Sequence, residues 1–436
     1  MKEDLVQLLH ITHFLRVILT GLLLLAGPQL IMAIGEPDPL LPVDTPFQII
    51  SENTSTSRTF IWQSSANSSG SLQYRRQGNP DEIYVETGAA TVYPYRDEDT
   101  EQEIYSAHLT NLQPDTTYEY RLVEDDKTTN WKEFKTTLPD LNHYKVLIFG
   151  DSQSTDYSTW GRTARTAYNL NPDAEFFINM GDLVDNGQDH KQWRAWFHYG
   201  RPLLKDMPLV PILGNHEAYS LGWAEAQPQA YQAIFPVPTN GPVGQDHLAY
   251  SFTYGDVHFA ALNTDYSELN ADYPNMMEDE QNWLDADLSQ ASKAGKRLIV
   301  LMHRPPWISS SSTTVSLEGR SFMPIFDKYK VNLVLDAHIH TYSRTNPLTS
   351  SGDDPNGTVY VTTGRSGDDI VYDRKGKQFD ASFYDPTDLP MYLTLDVRPD
   401  EFHIEAYKID GTLIDSATIP TKKTIKINVT PSHKQK

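Results

Sequence analysis

Residues 145–153 read KVLIFGDSQ, an apolar run that ends abruptly in glycine and aspartate. The arrangement recurs at residues 175–183 (EFFINMGDL), 208–217 (PLVPILGNHE), 297–304 (RLIVLMHR) and 331–340 (VNLVLDAHIH). Short apolar runs of this kind are typical of buried β-strands. Polar residues that follow such strands gather at one edge of an open α/β sheet, where ligands bind. The pattern therefore predicts an α/β fold with a functional site at this edge.

The polar residues after these five runs are of the types that bind metal ions. Mixtures of imidazole and carboxylate suit zinc, iron and manganese, and the sequence predicts two ions from this group. Asp182 is the natural shared ligand, because one carboxylate can give one oxygen atom to each of two metals. Asp151 and His340 would complete the first metal site. The second metal site would be completed by Asn215, His303 and His338.

The five segments resemble the motifs of the calcineurin-like metallophosphoesterase superfamily. That pattern runs Asp-x-His or Asp-x-Gly, Gly-Asp, Gly-Asn-His-Glu or Asp, a lone His, and Gly-His-x-His. The surrounding text, LMHRPPW at 301–307 and HIHTYSRT at 338–345, is most similar to the purple acid phosphatase branch. The resemblance implies a four-layer α/β/β/α sandwich with the metals at one edge.

Roles for individual residues follow from the same resemblance. It implies the two ligand sets given above, with Asp182 as the catalytic bridge between the metals. His216 matches the histidine that contacts phosphate and protonates the leaving group, and the neighbouring Asn215 would lie against the substrate. We predict Arg304 as a further phosphate contact, since a guanidinium group suits phosphate oxygens.

Three positions depart from the family pattern. Gln153 stands where many relatives have a ligand histidine, and it is predicted either to give a weak oxygen ligand or to hold a water molecule. Asp185 occupies the position of the tyrosine that ligates ferric iron in the purple branch, so no iron–tyrosinate colour is expected. Ala337 replaces the usual glycine, and its methyl group is either tolerated or shifts the loop.

The predicted function is that of a secreted two-metal hydrolase that cleaves phosphate esters with a metal-activated hydroxide. The resemblance favours a phosphomonoesterase of the acid phosphatase type acting on a small-molecule ester. A phosphodiesterase or nucleotidase of the same fold is the alternative, followed by a secreted binding protein that has lost catalysis. The formal net charge of −22 argues against nucleic acid as a partner. The oligomeric state is left open.

The N-terminal residues indicate where in or outside the cell the protein is expected. Residues 17–33 read VILTGLLLLAGPQLIMA after Lys2 and Arg16, which predicts a signal peptide over residues 1–33 and a secreted or periplasmic protein. An N-terminal membrane anchor is the alternative, and no stable membrane span is expected after cleavage. The chain has no cysteine, which excludes disulfides, a cysteine-type zinc site and a thiol nucleophile.

Two domains are predicted between this leader and a basic tail at residues 421–436. Residues 45–138 read as short strands of an all-β sandwich similar to immunoglobulin and fibronectin type III domains, with Tyr118 capping a turn. Residues 143–420 would form the metallophosphoesterase domain. A serine- and threonine-rich segment, residues 309–314, is predicted as a connector or a lid. Four amphipathic helices are predicted in the second domain, at residues 160–170, 189–204, 278–292 and 322–329.

Overall fold

A computed structural model of the protein describes residues 41, 46–63, 70–95, 100–124, 127–307, 315–372 and 374–421. All of these residues belong to one compact unit. The predicted signal peptide (residues 1–33), the segment 309–314 and the tail beyond residue 421 lie outside the described residues.

Strands dominate the described part of the chain. The strands, in chain order, are β1 (Phe47–Ile49), β2 (Arg58–Trp62), β3 (Ser71–Arg76), β4 (Tyr84–Glu86), β5 (Ala89–Tyr95), β6 (Thr100–Leu109), β7 (Thr117–Glu124), β8 (Lys127–Thr128), β9 (Lys132–Lys135), β10 (Tyr144–Phe149), β11 (Ala174–Asn179), β12 (Leu209–Pro211), β13 (Tyr250–Tyr254), β14 (Val257–Ala261), β15 (Arg297–Leu301), β16 (Leu333–Asp336), β17 (Tyr342–Thr345), β18 (Leu348–Thr349), β19 (Gly352–Asp353), β20 (Val359–Thr363), β21 (Asp380–Tyr384), β22 (Met391–Arg398), β23 (Glu401–Lys408) and β24 (Leu413–Pro420). The α-helices are α1 (Ser158–Leu170), α2 (His190–Leu204), α3 (Gln229–Ile234), α4 (Tyr266–Leu269), α5 (Met276–Lys293) and α6 (Leu317–Tyr329).

The N-terminal strands form two facing layers. One layer has the strand order β1-β2-β6-β5. The other has the order β4-β3-β7, and both β8 and β9 pair with β7. Buried aromatic rings fill the space between them, as where Phe60 of β2 lies 4.6 Å from Tyr120 of β7 and 5.4 Å from Phe134 of β9. This is the two-sheet arrangement of immunoglobulin-like sandwiches, so the predicted all-β sandwich is confirmed.

The turn before β7 is closed by a tyrosine. The hydroxyl of Tyr118 accepts a hydrogen bond from the backbone N–H of Gln113 at 2.9 Å, and the Tyr118 ring is buried. The predicted capping of this turn by Tyr118 is therefore confirmed.

The second part of the chain has four layers. Strands β10, β11 and β12 run parallel, and β22, β23 and β24 extend them at the β10 edge. A second sheet has the order β13-β14-β15-β16-β20-β17-β21. Phe176 of β11 meets Phe252 and Phe259 of the second sheet at 6.1 and 5.9 Å between ring centroids. The two sheets therefore pack face to face.

Helices cover the outer face of each sheet. Trp160 of α1 packs edge-on against Phe149 of β10 at 5.1 Å. On the other side, one buried cluster joins Val300 of β15 with Leu284 of α5 and Phe326 of α6. Successive side chains of β15 point to opposite faces of the sheet. Val300 therefore faces the helices, whereas Ile299 and Leu301 join the cluster between the two sheets. The predicted α/β/β/α order is confirmed.

The N-terminal sandwich and the second part of the chain share a sheet. Strand β1 pairs in parallel with β12, with Ile49 opposite Leu209, and the N–H of Ile50 donates to Leu209 O at 2.9 Å. The first sheet therefore runs through ten strands from β24 to β5. The domain bounds at residues 138 and 143 stay a prediction. Among the described helices, none is both long and apolar enough to cross a bilayer.

Candidate metal centre

The predicted ligand residues converge at one edge of the two packed sheets. Each follows a strand closely, because the apolar run ends where the chain leaves the core. β10, β11 and β12 lie in the first sheet, whereas β15 and β16 lie in the second. The residues in question are Asp151, Asp182, Asn215, His303, His338 and His340.

Asp182 belongs to two groups of side chains that can hold a metal ion. Asp151, Asp182 and His340 each offer one ligand atom, and these atoms lie within 4.8 Å of one another. Asp182, His303 and His338 form a second such group with the same spread. Asp182 is the residue that both groups share. The structure thus brings the two predicted ligand sets together around one buried carboxylate.

Backbone strain is concentrated at this place. Asp151, Asp182, His338 and His340 all have positive φ angles, of 32°, 49°, 68° and 56° respectively. Side-chain-bearing residues rarely adopt this conformation, and it is found most often where the surrounding structure enforces it for function. The four residues with this conformation all belong to the two ligand groups around Asp182.

His303 is held in one orientation by the backbone. Its Nδ1 donates to Met180 O at 2.8 Å, which leaves Nε2 facing Asp182 Oδ2 at 3.1 Å and Asn215 Oδ1 at 3.3 Å. Burial would lower the pKa of His303, but the neighbouring Asp182 and Asp151 carboxylates raise it to about 10. Nε2 is thus the atom turned towards the acidic centre.

His338 and His340 belong to different ligand groups. The Nδ1 atom of His340 donates to Asp369 O at 3.0 Å, and its Nε2 lies 3.6 Å from Asp151 Oδ1. The Nδ1 atom of His338 is buried and has no hydrogen-bond partner within the described part of the chain. Burial, with the nearby positive charges of His303 and Arg304, lowers the pKa of His338 well below its usual value. Both imidazoles are thereby held near the neutral form that binds metals.

Glu217 supports the loops that carry Asp182 and Asn215. Its carboxylate accepts hydrogen bonds from the backbone N–H groups of Asp182 (3.0 Å), Leu183 (2.8 Å), Val184 (3.2 Å) and Gly214 (2.9 Å). Burial and then the charge of Asp182 raise the pKa of Glu217, while these donors and His303 oppose the shift. Glu217 therefore ties two ligand segments to each other.

His216 lies beside the two ligand groups with one nitrogen occupied. Its backbone N–H donates to Asp182 Oδ1 at 2.9 Å, and its Nδ1 donates to Asp185 O at 2.7 Å. Its Nε2 is in hydrogen-bond contact with Gln153 Nε2 at 3.5 Å, and Gln153 Nε2 also donates to Asp369 Oδ2 at 3.2 Å. Gln153 Oε1 is buried, and no described residue forms a hydrogen bond with it. The amide oxygen of Gln153 is therefore available at the centre.

The guanidinium group of Arg304 forms hydrogen bonds with two carboxylates. Its Nη2 donates to Glu268 Oε1 at 2.6 Å, and its Nε lies 3.4 Å from Asp265 Oδ1. Nη1 remains, 3.4 Å from His338 Nε2. Burial, opposed by the charge of His303, raises the pKa of Asp265 to about 7. Only one edge of the guanidinium group is directed towards the predicted metals.

Other residues near the motifs serve the fold. Tyr342 and Arg344 both donate to Asp415 of β24, at 2.6 and 2.7 Å, and so do not face the ligand groups. Ala337 is buried and is absent from the described residues with positive φ, so its methyl group causes no backbone strain. That the methyl group is tolerated here or shifts the loop stays a prediction.

Sequence reasoning missed several acids that orient the predicted ligands. They are Glu217, Asp265, Glu268 and Asp369. Glu217 was visible within the quoted Gly-Asn-His-Glu motif, although its supporting role was not inferred. The other three stand outside the five segments, where nothing in the local sequence separates them from the many other acidic residues of the chain.

Two family matches cover most of the described chain. Residues 144–342 match the calcineurin-like phosphoesterase family, and residues 46–136 match the purple acid phosphatase N-terminal domain. Residues 144–342 thus carry a calcineurin-like phosphoesterase domain. The family predicted from the motifs is confirmed.

Curated proteins are similar to part of this chain. An uncharacterized protein of Mycobacterium tuberculosis is 30% identical over 302 residues, which covers 62% of this chain and 56% of the relative. Purple acid phosphatase 23 of Arabidopsis thaliana is 26% identical over 305 residues, covering 61% of this chain and 62% of the relative. The chain thus aligns with less than two thirds of the length of these relatives.

Solved structures share the fold. A purple acid phosphatase from yellow lupin (Lupinus luteus) seeds superposes with a TM-score of 0.70 at 19% identity, over 86% of this chain and 74% of that one. The structure of PhoD gives a TM-score of 0.60 at 14% identity, over 88% and 94%. At these identities the likeness concerns the fold, and it agrees with the predicted fold class.

Proposed function

We propose that the protein is a secreted metallophosphoesterase that hydrolyses small phosphate monoesters with two metal ions bound around Asp182. The observation that supports this most strongly is that Asp182 is shared by two groups of potential ligands, each spanning no more than 4.8 Å. One carboxylate between two such groups is the arrangement that a two-metal hydrolase needs. The similarity to purple acid phosphatases favours a monoester substrate.

The side chains present fit a pair of metal ions. Asp151 Oδ2, Gln153 Oε1 and His338 Nδ1 are buried and have no hydrogen-bond partner among the described residues, although such atoms are normally satisfied. We propose that the first metal is held by Asp151, Asp182 and His340, with Gln153 as a weak ligand. The second would be held by Asp182, Asn215, His303 and His338. Mixed oxygen and imidazole donors suit iron, zinc or manganese.

Two metals held in this way would polarise the phosphoryl oxygens and lower the pKa of a bound water molecule. The chain supplies the rest of the chemistry. His216 donates through Nδ1 to Asp185 O, so in the doubly protonated ring the Nε2–H would be the group able to pass a proton to the leaving oxygen. Arg304 would contact a phosphate oxygen through Nη1, the edge that its two carboxylate partners leave free.

His303→Ala and Asn215→Ala should each empty the second metal position. The two side chains present their donor atoms, His303 Nε2 and Asn215 Oδ1, to the same point, 3.3 Å apart. Metal analysis should show about one metal per chain instead of two, with turnover of a chromogenic phosphomonoester reduced by about 10²-fold or more. His198→Ala, on the outer helix α2, is the matched control. Near-normal turnover in both variants would contradict the ligand assignment.

The protein loaded with iron should lack the colour of an iron–tyrosinate complex. Position 185, where the purple branch has its tyrosine ligand, is an aspartate whose backbone carbonyl accepts a hydrogen bond from His216 Nδ1. The visible absorption spectrum should therefore show no charge-transfer band beyond that of free ferric iron, with the metal-free protein as the blank. A purple protein after iron loading would contradict this account and require another tyrosine to reach the metal.

A further inference from the structure

A small closed loop follows the segment that carries Asn215 and His216. Tyr219 and Glu225 form a β-bridge, and inside it Ser220 N donates to Ala224 O and Trp223 N to Ser220 O, both at 2.8 Å. The Ser220 hydroxyl also accepts from Ala224 N at 3.1 Å. We call residues 219–225 the aromatic loop. Its internal hydrogen bonds fix the position of Trp223.

Trp223 is both strained and exposed. Its φ is 62°, and 55% of its surface is open to solvent. A positive φ is unfavourable for a bulky side chain, and an exposed indole gains nothing from the hydrophobic core. Strain of this kind is found where the surroundings enforce it for function. The aromatic loop thus keeps an apolar ring on the surface although both its backbone conformation and its exposure are energetically unfavourable.

The ring lies directly beside the proposed proton donor. The centroid of Trp223 is 6.0 Å from that of His216, with the two planes at 86°, and Tyr219 lies 5.9 Å from His216 and 6.1 Å from Trp223. His216 in turn binds Asp182 through its backbone N–H. A group attached to the oxygen that His216 would protonate therefore has Trp223 and Tyr219 as neighbours.

The aromatic loop is anchored to both sides of the metal centre. Tyr219 donates to Glu268 Oε1 at 3.1 Å, and the same oxygen accepts from Arg304 at 2.6 Å. Asn186 Nδ2 donates to Ser220 O at 2.8 Å from the loop after Asp182. The two rings are consequently held in place before any substrate arrives, which reduces the entropy lost on binding.

We propose that Trp223 and Tyr219 form a stacking platform for the leaving group, so that the site selects phosphate esters of flat apolar alcohols, of the aryl or heteroaryl class. Aromatic faces bind such groups by stacking and by burial of apolar surface. The partly exposed carboxylates of Asp185 and Asp369 lie on the same rim and disfavour a second anionic group on the substrate. This inference rests on the proposed phosphoesterase function and names its substrate class.

The test compares two esters in four forms of the metal-loaded protein. Phenyl phosphate and glycerol phosphate are given to the unchanged chain, Trp223→Ala, Trp223→Phe and Tyr84→Ala, the last being a similarly exposed aromatic residue of β4. The ratio of kcat/KM for phenyl over glycerol phosphate should fall about 10-fold in Trp223→Ala, chiefly through KM. It should be largely kept in Trp223→Phe and unchanged in Tyr84→Ala. An unchanged ratio in Trp223→Ala, or an equal loss for both esters, would overturn the platform.

A binding measurement separates this inference from the proposed catalysis. Calorimetry with phenylphosphonate and methylphosphonate should give tighter binding of the phenyl compound, with the advantage lost in Trp223→Ala. If neither ester is hydrolysed but this preference is seen, the proposed reaction fails and the platform stands. If esters are hydrolysed and the preference is missing, the platform fails and the reaction stands.

Discussion

Asp182→Ala should release both metals and lower turnover by at least about 10³-fold. Stabilisation of the transition state by metal ions is worth several kcal/mol. Each 1.4 kcal/mol of lost stabilisation lowers the rate about tenfold. Asp182 is the one residue common to both ligand groups, and its carboxylate is buried between them. Metal content by elemental analysis and turnover of a chromogenic monoester are the measurements.

The control for this change is Asp140→Ala, an aspartate whose side chain is 93% exposed. That variant should keep two metals and full turnover. Circular dichroism of Asp182→Ala should show whether the fold is retained. If a folded Asp182→Ala protein still bound two metals, the shared-carboxylate account would be wrong.

Glu217→Ala should lower the free energy of unfolding by about 3 kcal/mol or more. The change leaves four buried backbone N–H groups without their acceptor, at Asp182, Leu183, Val184 and Gly214. The loops that carry Asp182 and Asn215 should then separate, and metal affinity should fall with stability. Urea unfolding of the metal-free protein measures the change in stability alone, because no bound metal contributes to it.

Glu225→Ala provides the matched control for Glu217, because Glu225 is an exposed glutamate only eight positions along the chain. Its removal should change the free energy of unfolding by no more than about 0.5 kcal/mol. Equal effects of the two substitutions would show that Glu217 contributes nothing beyond an ordinary surface glutamate. In that case another group must hold the two loops together.

Local sequence was enough to locate the strands that end at the metal centre. The apolar runs before Asp151, Asp182 and His303 correspond to β10, β11 and β15, because a buried strand shows as a continuous apolar run whatever it pairs with. The helix predicted at residues 322–329 was too short. It begins at Leu317, because Ser316 caps it by accepting from Gly319 N at 3.1 Å.

Contacts between distant residues could not be predicted in the same way. Strand β1 has only three residues, and its parallel pairing with β12 depends on the path of the whole chain. Nothing near Asp369 in the sequence indicates that it binds both His340 and Gln153. The positive φ angles of the ligand residues also arise from the assembled edge, since aspartate and histidine do not require them.

Our proposal is that two metals bound around Asp182 hydrolyse a phosphate monoester. To test it, the metal-loaded protein is given a chromogenic monoester and its matching diester side by side, with bound metal quantified in the same sample. We expect two metals per chain and monoester turnover well above that of the Asp182→Ala blank. Two bound metals with turnover of the diester alone would make the protein a phosphodiesterase, and a chain that binds no metal and cleaves neither ester would contradict the claim.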